Sequence, residues 1–123
     1  MSYTFDIVKK NGDWVKSTNT VSFTNYGSYW ETYGFSQENI KGKTSEDVSL
    51  LATRVIHMLG KEDITPSFSK YVVSENRDVI WSSTNNNGDI LPDSMRRKCC
   101  FLRIIMYYRE IAENNPECTW EYE

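Results

Sequence analysis

The run from Cys99 to Tyr108 reads Cys-Cys-Phe-Leu-Arg-Ile-Ile-Met-Tyr-Tyr, and nine of its ten residues are apolar or aromatic. Only Arg103 interrupts it. A segment this apolar must be enclosed, so the remaining chain has to be arranged around it. Pro92-Asp93-Ser94 opens a helix upstream, with Asp93 or Ser94 as N-cap. Asn114-Asn115-Pro116 stops it near Glu113, because proline disfavours helix in the residue before it. Helical spacing gives one apolar face of Phe101, Ile104, Ile105, Tyr108, Ile111 and Ala112, and a second of Cys99, Leu102 and Met106. One face has a sheet to cover it. The other requires an earlier helix of the chain or a second protein chain. Arg96, Cys100, Arg103 and Tyr107 share the remaining face, read as a polar exit. There Arg103 either binds a carboxylate or phosphate or pairs internally with a glutamate.

The preceding elements follow from periodicity and turn chemistry. Tyr3 to Lys10 alternates, with Tyr3, Phe5 and Ile7 on one side. Asn11-Gly12 suits both centres of a type I′ turn, so the chain returns through Trp14 and Val15. A polar break or bulge at 17–20 precedes Val21 and Phe23, giving a hairpin or three-stranded meander over 3–24. Thr44 caps a helix over about 45–59, with Asp47 reaching back and Gly60 as the residue just past its end. Its buried stripe is Val48, Leu51, Ala52, Val55 and Leu59. Residues 68–74 and 79–83 read as a second hairpin, and Cys118, Trp120 and Tyr122 alternate in a final edge strand. The expected fold is a single α+β domain over 1–123. It has an antiparallel sheet of about five strands with two helices packed on it, in the order ββ(β)-α-ββ-α-β.

Composition narrows the function. The 123 residues are 39% hydrophobic and 25% charged, as in an ordinary globular chain. A net charge of −3 argues against nucleic acid as a partner. No apolar run approaches the roughly 20 residues that span a bilayer. The start Met1-Ser2-Tyr3-Thr4 lacks a signal-peptide pattern, and three cysteines make no disulfide framework. The expected setting is reducing and cytoplasmic.

Chemistry-bearing motifs are scarce. His57, the single histidine, lies off the apolar stripe of its helix and reads as a surface residue. No nucleophile elbow, zinc box, calcium loop or phosphate loop is present. The expectation is a protein that is not an enzyme and carries no cofactor or metal. Aromatic content is high at 14%, and Tyr26, Tyr29, Trp30, Tyr33 and Phe35 fall within ten residues. They are either packing under a loop or a stacking and partner-docking surface. The helix carrying the apolar run begins with Arg96-Arg97-Lys98 and ends among glutamates, the reverse of what its dipole favours.

Two readings follow. The first is a small binding or inhibitor protein acting by contact with a protein partner or with itself as a homo-oligomer. Its small size, acidity and Asn/Ser/Thr-rich loops resemble those of phage accessory proteins, and that resemblance implies action on a host defence or host enzyme. The second is a binder of a nucleotide or similar anion. There Arg96, Arg97 and Arg103 neutralise phosphate, Trp81 or Tyr29, Trp30 and Tyr33 stack the base, and Asn86 and its neighbours hydrogen-bond it. Tyr107 flanks Arg103 in both.

Overall fold

In the computed structural model, the described residues are 2–18, 21–22, 28–62, 64, 72–73, 79–80 and 93–122. Period-two alternation builds the N-terminal strands. β1 (Ser2–Tyr3) pairs antiparallel with β4 (Val21–Ser22), and β2 (Phe5–Val8) pairs antiparallel with β3 (Trp14–Ser17). Phe5 and Ile7 are fully buried, while Asp6 and Val8 on the opposite face are half-exposed. The turn differs from the expected type I′ form. The Gly12 amide donates to the Lys9 carbonyl at 2.8 Å, so Lys10 and Asn11 are the central residues. Gly12 follows them in left-handed backbone at φ 92°, the three-residue loop that ends in a glycine bulge. The Asp13 amide donates to Asn11 Oδ1 at 3.0 Å and holds this loop in shape.

The rest of the sheet comes from the far end of the chain. The last strand, β7 (Thr119–Tyr122), pairs antiparallel with β2, giving the order β3-β2-β7. β5 (Val72–Val73) and β6 (Val79–Ile80) form a separate antiparallel pair. Among the described residues, the expected five-stranded sheet is therefore corrected to one of three strands accompanied by two two-stranded pairs. β7 is an edge by strand order, as expected, but its outer side is occupied. Gly42 N–H donates to Trp120 O at 2.7 Å, Trp120 N–H to Lys43 O at 2.8 Å and Ser45 N–H to Cys118 O at 2.9 Å.

Four helices, rather than two, occur among the described residues. The two additional ones are single turns, α1 (Tyr29–Thr32) and α2 (Gln37–Ile40). α3 (Ser45–Lys61) is capped by Thr44, whose hydroxyl accepts from Asp47 N–H at 3.2 Å. Asp47 makes no reciprocal bond, its carboxylate being one methylene short of the usual glutamate. Val48, Ala52, Val55 and Leu59 are buried and Leu51 is half-buried. α3 passes through Gly60 and is capped at Glu62, so Gly60 does not end it.

α4 (Asp93–Asn114) is the axis of the molecule. Phe101 and Tyr108, seven residues apart, are its two packing centres. Around Phe101 lie Trp30, Tyr33 and Tyr29, with ring centroids at 5.0, 5.6 and 5.7 Å. Tyr108 stacks on Phe35 at 5.7 Å and meets Phe5 and Trp120 of the sheet edge-on at 5.7 and 5.9 Å. α3 packs along α4 and supplies cover from within the chain. The apolar surface of α4 thus requires no second chain. No described helix is long and apolar enough to cross a membrane.

Candidate functional site

The residues that sequence reasoning singled out divide between core and surface. Trp30 is fully buried, and Tyr33 and Tyr107 nearly so. Tyr29 is half-buried, edge-on to Tyr33 and Phe101. The 29–35 aromatics are brought together, but as core packing on α4. Arg103 is also fully buried and engaged in the interior. The expected polar exit is therefore closed. The Arg103 charge acts on Cys99, one turn earlier, where burial pushes the thiol up and Arg103 opposes it. Arg97 is exposed, about 120° around the helix from Arg103. Arg96 stands in the first turn of α4, with its side chain outside the described part. Trp81 and Asn86 lie outside the described residues. The arginines and aromatics thus form no common pocket among the described residues.

The reversed charges of α4 have a partial explanation. Lys98 Nζ donates to Glu62 Oε1 at 2.5 Å, and the Tyr33 hydroxyl donates to Glu62 Oε2 at 2.5 Å. Glu62 sits at the end of α3, so this cluster ties α1, α3 and α4 together. Lys98 answers a carboxylate rather than the dipole of its own helix.

A further set of residues lies on the sheet face turned away from α4, where Trp14 is exposed and its neighbours are half-exposed. Cross-strand partners share a face. Asp6 stands opposite Ser17 and Glu121, and Val8 opposite Trp14 and Thr119. With Phe5, Ile7 and Trp120 committed inward, these six side chains point outward. Trp14 is 63% exposed. It is nonetheless held, because its Nε1 donates to Ser17 Oγ at 3.2 Å and Ser17 Oγ donates to Asp6 Oδ1. At the end of the hairpin, Lys9, Lys10 and Asn11 line a hollow of about 610 Å³ with Asn115, Pro116, Glu117 and Cys118.

The outward set was passed over in the sequence because Trp14 reads as an ordinary strand residue after a turn. The signal that identifies it is positional. It opens an edge strand, where a core tryptophan has only one neighbouring strand to cover it.

His57 is exposed on α3, and no His, Cys, Asp or Glu cluster among the described residues suits a metal ion. None of Cys99, Cys100 and Cys118 is in a disulfide. Comparisons of the chain with protein-family models, with curated proteins and with solved structures found no match.

Proposed function

We propose that this is a small binding protein that acts by protein–protein contact, with the outward sheet face as its contact surface. One observation carries the reading. Trp14 is 63% exposed yet held by Ser17 and Asp6. A large amphipathic side chain already ordered before contact loses little freedom on binding, and tryptophan is enriched among residues that dominate interface energy. The polar Ser17, Thr119, Asp6 and Glu121 around it form the rim such a residue uses.

The anion-sequestering alternative has less support. Arg103 is inside, Arg97 is outside, and Trp30 and Tyr33 are enclosed. No described aromatic face lies open beside these arginines.

The test is differential capture from a lysate of the source cells. Immobilised wild-type protein and a Trp14→Ala variant are compared, with Leu50→Ala as a control for a second residue of equal exposure. The reading expects a partner retained by wild type and by Leu50→Ala, and lost with Trp14→Ala. Equal retention by all three places the contact elsewhere. No retention by any of them counts against the reading.

A further inference from the structure

We infer that the outward sheet face docks a cationic segment of a protein partner, with Arg or Lys side chains seated between Asp6 and Glu121 and against the Trp14 ring. This rests on the protein-contact reading and names the chemistry of the partner.

Register places Asp6 directly opposite Glu121 on β2 and β7. Directly opposed like charges destabilise a sheet. Neither carboxylate has an ion-pair partner among the described residues. Lys16, the β3 residue opposite Ile7, belongs to the other face. Lys9 and Lys10 line the hollow at the hairpin end. The face therefore presents two carboxylates whose repulsion a cation from outside relieves.

The aromatic neighbour favours the same occupant. Trp14 Nε1 is spent on Ser17, and Ser17 in turn on Asp6. The bond that orients the indole thus also places it beside a carboxylate. The exposed ring attracts a guanidinium or ammonium through its π face, and Arg is suited to stack on the ring while pairing with a carboxylate. A net charge of −3 adds long-range attraction for a basic segment. Nucleic acid, being anionic, is repelled by the same pair.

The experiment is selection of a displayed library of random short peptides on the wild-type protein. Enriched peptides are synthesised and titrated by isothermal calorimetry. The variants are Asp6→Asn/Glu121→Gln, Trp14→Phe and a remote charge control, Glu46→Gln/Asp47→Asn. Asn at position 6 still offers Ser17 an acceptor, and the double change removes a repulsion, so the fold is retained. The expected result is enrichment of Arg- and Lys-bearing peptides. Their affinity falls at least about tenfold in Asp6→Asn/Glu121→Gln, is unchanged in the remote control, and weakens between about 50 and about 300 mM salt. Apolar or acidic peptides that lose affinity with Trp14→Phe but not with Asp6→Asn/Glu121→Gln overturn the cationic assignment and leave the protein-contact reading standing. Basic peptides that bind the double variant and the remote control alike also overturn it, as attraction to net charge only. Absence of any enriched peptide overturns both.

Discussion

Glu62 shows how one side chain joins three helices. Its carboxyl is held below the ordinary carboxylate range, chiefly by the hydrogen bond from Lys98 and then by that from Tyr33. Lys98 is raised, mainly through the same bond with Glu62, and Tyr33 is raised by burial and by Glu62. A lowered folded-state value for Glu62 means its contribution is complete above the unfolded-chain value of about 4.3 and is lost as pH falls through the folded value. The raised Tyr33 and Lys98 contribute fully below about pH 10 and lose that contribution as pH rises through their folded values. Glu62 is exposed and Lys98 half-buried, so screening limits the pair to about 1 kcal/mol or less. Urea unfolding of Glu62→Gln should show a gap of that size from wild type at neutral pH, narrowing below about pH 4. A gap that does not change with pH contradicts this assignment. Ser45 ties the start of α3 to β7. It is fully buried, and its Oγ accepts from Trp120 Nε1 at 3.0 Å. Ser45→Ala leaves the indole N–H without that acceptor and should cost about 1–3 kcal/mol. In a Trp120→Phe background the same Ser45→Ala change should cost less, because the donor is then gone as well.

The long helices were legible in the sequence because their signals are local. The Thr44 cap and the Val48–Leu59 stripe lie within the helix they define, and Asn114-Asn115-Pro116 marks the end of α4. Thr44→Ala should therefore cost about 1 kcal/mol in thermal unfolding, with Thr44 itself exposed and no burial lost. A negligible change would mean that the backbone bonds tying 42–45 to β7 set the start of α3 instead. The single turn α2 was not legible and α1 only weakly so, through the helical spacing of Tyr29, Trp30 and Tyr33, because one turn of helix carries almost no periodicity and forms only with tertiary support. Trp30, Tyr33 and Phe35 supply that support through Phe101 and Tyr108. The overshoot of α3 past Gly60 has a similar cause. Its extra turn delivers Glu62 to Tyr33 and Lys98, partners distant in the sequence.

At the scale of the whole molecule, non-local pairing decided what the sequence could not show. β2 and β7 sit at opposite ends of the chain, so no local pattern places Asp6 opposite Glu121. Alternation did place Phe5 and Ile7 on one face and Asp6 and Val8 on the other, so two of the six outward side chains were implicit in residues 5–8. Trp14 became notable only once β3 proved to be an edge and the other described tryptophans, Trp30 and Trp120, proved to be buried. The arginine face was misleading for the converse reason. A cation in an apolar helix suggests an exit to solvent, yet tertiary packing encloses Arg103 completely.

The aromatic residues divide in two: those around α4 hold the fold, and Trp14 faces outward. Urea unfolding of Trp14→Ala beside Trp30→Ala tests this division directly. Trp14→Ala should stay within about 0.5 kcal/mol of wild type, whereas Trp30→Ala should lose about 3–5 kcal/mol. A Trp14→Ala loss as large as that of Trp30→Ala, or a Trp30→Ala variant as stable as wild type, would contradict it.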